Sequence, residues 1–332
     1  MNILITGCAG FIGFNLTKEL IKNNKVVGID NLNSYYSIKL KKDRLKILQC
    51  KNFKFYKLDI INKKKIFNIL KKNKITHIVH LAAQAGVRHS LKYPEDYFNS
   101  NLLGTFSILE SCKFLKIKNF LLASTSSVYG ANPKKNFSED FPADHPIQFY
   151  AATKRSTEIM AHSYSCLYKI PIICMRFFTV YGPWGRPDMA LYKFTKNILQ
   201  NKKIDVFNFG NHSRDFTYID DVVRMIKSLL KKPPIKNKLW SSRFKLSASK
   251  YPYKIFNLSA GKNVKLMNYI KEIEKNLEKK AKINFLPLQK GDVVNTSSET
   301  ENLRRYIKVK KTTNYKLGIK KFVEWYKMYH KH

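Results

Sequence analysis

A tyrosine and a lysine four residues apart are the pair in this sequence best suited to proton chemistry. Tyr150 and Lys154 sit in the segment YAATK, and helical periodicity would set both side chains on one face. A phenol with a pKa near 10 is a poor base at neutral pH, but a neighbouring ammonium favours the phenolate. Such a pair could take a proton from an alcohol and return it. Alone, the spacing is weak evidence, because a Tyr and a Lys four apart also occur on ordinary solvated helix faces.

A run of hydroxyl side chains precedes this pair in the chain. Thr125, Ser126 and Ser127 follow the apolar stretch 120–123, which is typical of a buried strand. This run could place a hydroxyl donor beside the Tyr150 oxygen and a substrate hydroxyl. Phenol, ammonium and hydroxyl together indicate reversible oxidation of an alcohol, which requires a partner that accepts a hydride.

A glycine-rich stretch near the N-terminus predicts where that partner binds. Residues 7–13 read GCAGFIG and lie between a predicted strand, Ile3–Thr6, and a predicted helix. In this context Gly7 permits a tight turn, Gly10 lets a pyrophosphate approach backbone N–H groups, and Gly13 allows close packing of the helix. The pattern predicts a dinucleotide site.

An aspartate decides which dinucleotide we expect. Asp30 ends the second predicted strand, where a carboxylate accepts the ribose hydroxyls of NAD and repels the 2′-phosphate of NADP. Asn31 and Asn33 offer no compensating Arg. Asp59, after the third predicted strand, is placed to meet the adenine amino group. The predicted NAD site comprises Gly7, Gly10, Phe11, Ile12, Gly13, Asp30, Asn31, Asn33, Asp59, Ile60, Leu81, Ala82, Ala83, Tyr150 and Lys154.

Alternating apolar runs and amphipathic stretches predict the elements that position these residues. The pattern indicates an α/β chain with a Rossmann fold, a doubly wound parallel sheet. We expect residues 1–178 to form the NAD-binding domain, with a return segment near 205–260, and residues 179–332 to form mainly a smaller C-terminal α/β lobe that binds substrate. The predicted strands are Ile3–Thr6, Lys25–Ile29, Phe53–Leu58, His77–His80, Phe120–Ala123, Pro171–Met175 and Lys254–Leu258.

The charge balance raises, and then weakens, the case for a nucleic-acid partner. The chain has 62 basic and 23 acidic side chains and a formal net charge of +39. However, 52 of the basic residues are Lys and only 10 are Arg, and they spread over the whole chain. Backbone binding usually needs a concentrated basic face. We therefore expect no nucleic-acid partner.

Cysteine usage and hydropathy indicate the compartment. The five cysteines are odd in number and lack CxxC spacing, which favours free thiols in a reducing environment. No basic region precedes an apolar one at the N-terminus, and no stretch has 18 uninterrupted apolar residues. These patterns predict a cytoplasmic protein with no membrane partner and no metal site.

Taken together, these motifs resemble the extended short-chain dehydrogenase/reductases, whose sugar-nucleotide epimerases and dehydratases carry TGxxGFIG, YxxxK and a preceding Ser/Thr. Residues 176–190, RFFTVYGPWGRPDMA, resemble the signature of UDP-glucuronate 4-epimerases of bacterial capsule and lipopolysaccharide pathways. The resemblance implies that Thr125, Tyr150 and Lys154 are catalytic and that Asn101 lies near the nicotinamide. It also implies a homodimer, formed through helices near 97–115 and 150–168.

The substrate side is predicted partly from this resemblance and partly from the residues themselves. The resemblance implies that Arg214 and Asp292 hold the nucleotide diphosphate and ribose, while Arg186 and Arg214 lie in loops beside Pro and Gly turns that suit phosphate binding. Thr179 stands where UDP-galactose epimerases usually carry Asn, and Ser126 where dehydratases carry an acid. We expect Thr125, Ser126, Ser127 and Thr179 to hold the C6 carboxylate of a uronic acid.

Other readings of the sequence stay open. The predicted reaction is C4 epimerisation of UDP-glucuronate to UDP-galacturonate through a transient 4-keto sugar. A UDP-glucose or UDP-N-acetylglucosamine 4-epimerase is the nearest alternative, and a non-catalytic NAD-sensing protein is another.

His77 and His80 are expected to pack or form local hydrogen bonds. Asp220 and Asp221 are expected to cap a helix.

Overall fold

The computed structural model describes residues 1–134, 136–241, 245–289, 292–308 and 311–331. The first half of the chain contains β1 (Asn2–Thr6), α1 (Phe11–Leu20), β2 (Lys25–Asp30), α2 (Ile38–Leu48), β3 (Phe53–Lys57), α3 (Lys63–Lys72), β4 (His77–His80), α4 (Pro94–Tyr97), α5 (Gly104–Cys112), β5 (Asn119–Thr125), β6 (Asn136–Phe137), α6 (Phe149–Tyr168) and β7 (Ile172–Phe177). A π-helical segment, Phe98–Leu103, joins α4 to α5.

The second half of the chain has shorter strands between its helices. It contains β8 (Thr179–Tyr181), α7 (Ala190–Leu199), β9 (Lys203–Phe207), β10 (Ser213–Tyr218), α8 (Ile219–Leu230), β11 (Tyr253–Leu258), β12 (Asn263–Lys265), α9 (Leu266–Leu277), β13 (Lys282–Leu286), β14 (Asn295–Ser298), α10 (Glu301–Ile307) and α11 (Tyr315–His330).

Seven parallel strands form the main sheet, in the order β11-β7-β5-β4-β1-β2-β3. The Rossmann prediction is confirmed, and each predicted strand lies in this sheet with ends that differ by no more than two residues. Strand order reverses between β1 and β4, so a crevice opens beyond the carboxyl ends of these strands, where ligands bind in folds of this kind. β5 is longer than predicted and ends at Thr125, which places that hydroxyl at the crevice.

The apolar residues of β1 explain why the sheet is buried on both faces. Ile3, Leu4 and Ile5 are fully buried. Because successive strand side chains point to opposite faces, Leu4 joins one apolar cluster while Ile3 and Ile5 join the other. A continuous apolar run is typical of a parallel strand covered by helices on both sides.

The second lobe is assembled from several passes of the chain. In its sheet β10 pairs with β8, β12 and β14, and β14 pairs with the early strand β6. β9 and β13 form a separate parallel pair. The predicted return to the main sheet is made by β11, whereas β10 belongs to the second lobe. The domain limit at residue 178 stays a prediction.

Two local expectations need comment. Asp220 and Asp221 do not cap α8, because the residue at the cap is Tyr218. Asp221 is instead fully buried and accepts hydrogen bonds from the N–H and hydroxyl of Thr313 at 2.6 and 3.1 Å, so it fixes a distant loop. His80 forms the expected local hydrogen bond, 2.7 Å to Thr6.

No helix in the described ranges is long and apolar enough to cross a membrane.

Candidate active site

A cavity of about 890 Å³ lies between the two lobes at the carboxyl ends of the parallel strands. The predicted cofactor residues that line it are Gly7, Gly10, Phe11, Ile12, Gly13, Asp30, Asn31, Asn33, Asp59, Ile60, Leu81, Ala82, Ala83, Tyr150 and Lys154. The predicted substrate residues that line it are Thr125, Ser126, Ser127, Thr179, Arg186, Arg214 and Asp292. One cleft therefore brings together residues from nearly the full length of the chain.

The glycine turn brings backbone, with no side chains, to the floor of this cleft. Gly7 has a φ of +72°, and a Cβ there would lie 2.8 Å from the backbone nitrogen of Ala82. A Cβ at Gly13 would lie 2.1 Å from the carbonyl oxygen of Gly7, so only glycine lets α1 pack this closely. α1 begins at Phe11 with neither a side-chain cap nor an acidic residue in its first turn. Its N–H groups therefore suit a diphosphate.

Two aspartates line the cleft farther along the same edge of the sheet. Asp30 accepts hydrogen bonds from the backbone N–H groups of Ala9 at 3.1 Å and Leu32 at 2.9 Å. Burial raises the pKa of the Asp30 carboxyl above its usual value, and these hydrogen bonds oppose the rise. Asp59 accepts from the amide of Asn31 at 2.9 Å. Both carboxylates are thus oriented by the chain itself.

The predicted catalytic residues meet where β5 ends and α6 begins. Tyr150 is the second residue of α6, and Lys154 lies one turn further on, only 2% exposed. Burial lowers the pKa of Lys154 to about 8, although Cys174 and Glu158 oppose that change. Burial also raises the pKa of Tyr150, while the Thr125 hydroxyl and the Arg186 charge oppose the rise.

The protein alone does not lower the pKa of this tyrosine. That pKa is raised, because desolvation of the phenolate outweighs the neighbouring groups of the chain. The predicted effect joined the Lys154 ammonium with the charge of a bound nicotinamide, and it stays a prediction. A positive charge beside the phenol, such as that of an oxidised nicotinamide, would act in the opposite direction.

Hydroxyl groups from two segments line the same cleft as the phenol. Thr125 donates to the Ser127 hydroxyl at 3.2 Å and accepts from the Ser127 N–H at 3.2 Å. Thr179 begins β8 and pairs in register with Phe216 of the second lobe. β5 and β8 thus each contribute a hydroxyl side chain to the cleft, and no carboxylate follows Thr125 directly.

The cationic side chains of the substrate side are engaged in different ways. Arg186 donates to the Asp188 carboxylate at 2.9 and 2.5 Å, so a neighbouring acid balances its charge. Arg214 donates to the carbonyl oxygen of Val294 at 2.7 Å, and burial lowers its pKa. The phosphate-binding roles of Arg186 and Arg214 stay predictions.

Comparison with known proteins identifies the family. The model of the NAD dependent epimerase/dehydratase family matches residues 3–238. The chain belongs to this family. Protein CapI of Staphylococcus aureus is 49% identical over the full length of both chains. A probable UDP-glucuronate 4-epimerase of Rhizobium meliloti is 44% identical, over 98% of this chain and 97% of the relative.

A solved structure supports the same assignment. The crystal structure of a UDP-glucuronic acid 4-epimerase from Bacillus cereus, in complex with UDP-glucuronic acid and NAD, superposes with a TM-score of 0.89. It is 33% identical in sequence and the match covers 99% of this chain and 100% of that one. The resemblance inferred from the motifs is confirmed, and the protein is an NAD-dependent epimerase.

The cleft fits the dinucleotide of this family. A diphosphate would meet the uncapped start of α1, and the ribose next to adenine would meet Asp30. Each of the two Asp30 oxygens accepts one hydrogen bond from a backbone N–H. A carboxylate oxygen accepts more than one hydrogen bond. Capacity for two ribose hydroxyls therefore remains.

Asn101 lies just behind the lining of the cleft. Its side chain is fully buried, and the cavity is lined by its neighbour Ser100. The Asn101 amide accepts from Gln84 N–H at 2.8 Å and donates to Thr153 at 2.9 Å. Asn101 therefore ties the loop after β4 to α6, and its place near the nicotinamide stays a prediction.

Sequence reasoning missed several residues of the cleft. Arg88 forms an ion pair with Asp292, 3.0 Å from Nη2 to Oδ2, and lies over the ring of Phe207 at 4.8 Å. Lys41 and Gln84 also line the cavity. A signal for Arg88 was available, because it lies in the loop after β4, at the edge of the sheet where ligands bind. Lys290 and Gly291, next to Asp292, lie outside the described residues.

The catalytic helix also has a buried anchor that the sequence did not reveal. Glu158 of α6 accepts from Arg176 of β7 at 2.9 and 2.8 Å and from Ser124 of β5 at 2.6 Å. All three side chains are at most 3% exposed. This network fixes α6, and with it Tyr150, against the ends of two strands.

Proposed function

We propose that this protein catalyses the NAD-dependent epimerisation of UDP-glucuronate at C4, giving UDP-galacturonate. The observation that carries the proposal is the meeting of Thr125, Tyr150 and Lys154 in the cleft that contains the glycine turn and Asp30. Hydroxyl groups in place of an acid beside Thr125 favour epimerisation over elimination. The relatives named as UDP-glucuronate 4-epimerases support the choice of sugar.

The proposed proton transfers use residues at the end of β5 and the start of α6. Tyr150 takes the proton from the C4 hydroxyl and, once the sugar has turned over, returns it to the oxygen of the ketone. Thr125 orients the phenol and the sugar hydroxyl, and Lys154 contributes its positive charge. When bound, NAD supplies the reversible hydride acceptor that interconverts the alcohol and the ketone. The cofactor undergoes no net change.

The sugar has to turn over between the two transfers, so the nucleotide must provide most of the binding energy. Arg214 and Asp292 of the second lobe would hold the diphosphate and ribose, with Arg186 as the further phosphate candidate. The hexose then remains free to rotate about the diphosphate linkage. If UDP provides most of the binding energy, the sugar can rotate without the ligand leaving the cleft.

The hydroxyl groups suit a uronic acid. A 4-keto uronic acid is a β-keto acid, which loses carbon dioxide when its carboxylate moves to an apolar site. Thr125, Ser126, Ser127 and Thr179 would keep the carboxylate charged and oriented, each hydrogen bond contributing on the order of 1 to 3 kcal/mol. Decarboxylation would thereby be suppressed.

A product assay tests the proposal directly. Purified protein is incubated in separate reactions with UDP-glucuronate, UDP-glucose and UDP-N-acetylglucosamine. The UDP-sugars in each reaction are then separated by anion-exchange chromatography. We expect UDP-galacturonate in the first reaction and a kcat/KM for UDP-glucuronate well above the other two. A higher kcat/KM for UDP-glucose would establish the alternative epimerase. Bound NAD with no conversion of any sugar would favour the NAD-sensing protein.

We further propose that the enzyme is a cytoplasmic homodimer that supplies a precursor for capsule or lipopolysaccharide. Exposed apolar side chains on α5, on the segment that follows it, and on α6 support a dimer through these helices, among them Phe114 at 77% and Leu167 at 64% exposure. We also propose that residues 1–178 and the return strand bind NAD, and that the remaining residues bind the UDP-sugar. Light scattering on the purified enzyme would measure the mass of the assembly.

A further inference from the structure

Two cations lie beside the carboxylate that was expected to select NAD, and the sequence pattern had indicated neither. Lys41 projects from α2, is 4% exposed and lines the cofactor cleft. Its ammonium donates to the backbone and side-chain oxygens of Asn33, both at 2.7 Å. Asn33 follows Asp30 by only three residues. Lys41 therefore belongs to the ribose end of the cleft.

The second cation is Arg44, one turn further along α2. It is fully buried and donates to the carbonyl oxygen of Ala9 at 2.8 Å. The N–H of the same Ala9 donates to Asp30 at 3.1 Å. The other recorded acceptors of Arg44 are the hydroxyl of Tyr36 and the carbonyl oxygens of Trp184 and Gly185, all neutral groups.

The charges at this end of the cleft are therefore unequal. Asp30 is a single carboxylate facing Lys41 and Arg44, and both cations favour its ionised form. The nearby pair Arg186 and Asp188 balances itself through two hydrogen bonds. If the charge of Asp30 were removed, Lys41 and Arg44 would remain at this end of the cleft, and no acid of the described residues forms an ion pair or side-chain hydrogen bond with either of them.

We propose that Lys41 and Arg44 form a latent site for the 2′-phosphate of NADP, and that Asp30 alone keeps this site closed. A 2′-phosphate carries a double negative charge and lies where Asp30 would meet the ribose, so it is repelled in the native protein. With Asp30 neutralised, Lys41 can donate to the phosphate directly, and Arg44 contributes its charge from behind the Ala9 backbone. The proposal rests on the assignment of this crevice to NAD.

The test measures cofactor binding and needs no substrate. Native protein and the variants Asp30→Ser and Asp30→Asn are equilibrated with equal concentrations of NAD and NADP, desalted and extracted with acid, and the two nucleotides are quantified by chromatography. We expect native protein to retain NAD almost exclusively. In both variants the ratio of bound NADP to bound NAD should rise by at least about tenfold, since one removed repulsion of about 1.4 kcal/mol has that effect.

Matched double variants identify the residue responsible. Asp30→Ser with Lys41→Met should lose most of the gain in bound NADP, whereas Asp30→Ser with Lys42→Met should keep it, because Lys42 is the exposed neighbour on the same helix. An unchanged ratio in both single variants would overturn the proposal. So would a gain that survives Lys41→Met, or loss of both cofactors from single variants that keep the native melting temperature.

The outcome is separable from that of the proposed function. Epimerase activity is assayed on the native protein alone, while the nucleotide ratio is measured without any UDP-sugar. A native enzyme that fails to convert UDP-glucuronate but whose Asp30 variants take up NADP would contradict only the proposed reaction. The reverse result would contradict only the latent phosphate site.

Discussion

The two halves of the cleft are built in different ways. The cofactor half consists of the loops that follow β1 and β2 and the first residues after β4, and its polar groups are fixed by these same loops, as Asp30 is by Ala9 and Leu32. The substrate half is gathered from segments far apart in the chain. Its ion pair joins Arg88 to Asp292 across 204 positions of sequence.

This difference has an energetic consequence. The cofactor half is part of the main core, because Gly7 and Gly13 pack backbone against backbone. The substrate half has exposed charges, and Arg88 is 51% exposed. Changes in the cofactor half should therefore reduce stability and NAD binding together, whereas changes in the substrate half should alter specificity and leave the fold intact.

The largest expected effect lies where the two halves meet. Tyr150→Phe keeps the ring and removes the oxygen that accepts the C4 proton. We expect turnover of UDP-glucuronate to fall on the order of 10²- to 10⁴-fold, while bound NAD and UDP affinity remain near native values. Steady-state kinetics and calorimetry measure these quantities. Tyr168→Phe at the exposed end of the same helix is the control, and near-native turnover in Tyr150→Phe would rule out its catalytic role.

The second prediction tests the glycine turn of the cofactor half. In Gly13→Ala the new Cβ would lie 2.1 Å from the Gly7 carbonyl oxygen, so the turn or α1 must shift, at a cost of about 1 to 3 kcal/mol. We expect a lower melting temperature together with less bound NAD. Gly318→Ala is the matched control, because its Cβ would lie 2.2 Å from the hydroxyl oxygen of Tyr181, a side chain that does not line the cofactor cleft. If both variants lose NAD equally, the glycine turn is not the cause.

The same contrast explains how far each half could be predicted from the sequence. Gly7, Asp30 and the strands before them form a short continuous motif, in which local pattern fixes local structure, and those residues line the cleft as predicted. Arg88 was missed because its partner Asp292 is contributed by another lobe. Lys41 was missed because helical periodicity gives no sign that α2 turns this side chain toward Asn33.

Buried networks set a second limit on prediction. Nothing in the sequence indicated that the amide of Asn101 would bond to Gln84 and Thr153. The spacing of Tyr150 and Lys154 also did not indicate that burial would raise the pKa of the phenol, since desolvation depends on everything packed around the ring.

A third effect concerns the choice of sugar. Thr179→Val removes a hydroxyl from the substrate half without changing the shape of the side chain greatly. We expect kcat/KM for UDP-glucuronate to fall about tenfold relative to any turnover of UDP-glucose, because a hydrogen bond to a charged group contributes about 1.5 to 3 kcal/mol. A decarboxylated 4-keto pentose should appear among the products. Thr195→Val, at a buried residue of α7 that does not itself line the cleft, controls for a general loss of packing. An equal loss with both sugars would contradict the proposal that these hydroxyl groups hold the C6 carboxylate.

A fourth effect follows from the pKa of Lys154, which burial lowers to about 8. If the ammonium is required, kcat/KM should fall about tenfold per pH unit above that value. Stability should change in the opposite direction. Between pH 8 and the higher pKa of an unfolded lysine, the unfolded chain binds more protons, so the contribution of Lys154 to the free energy of unfolding rises with pH. A pH-rate profile and thermal melts separate the two trends, and Lys154→Arg, which stays charged, should lose the fall above pH 8.

The smallest effect concerns the ion pair between the lobes. Arg88→Ala should hardly change the melting temperature, because exposed ion pairs contribute only about 0.2 to 1 kcal/mol. Arg88 and Asp292 nevertheless line the substrate half together, and we expect the KM for UDP-glucuronate to rise roughly fivefold, the equivalent of about 1 kcal/mol, with kcat nearly unchanged. Lys92→Ala, in the same surface segment, should leave both constants at native values.

A double variant decides whether Arg88 acts through its partner. If Arg88 serves mainly to orient the Asp292 carboxylate, then Arg88→Ala should have no further effect on KM in an Asp292→Ala background. If it contacts the diphosphate independently, the two changes in free energy should add. A melting temperature several degrees lower in Arg88→Ala would contradict the comparison between the two halves of the cleft. The substrate half would then contribute to the stability of the fold, as the glycine turn does. A reduced kcat at native KM would instead place Arg88 in the chemistry and not in nucleotide binding.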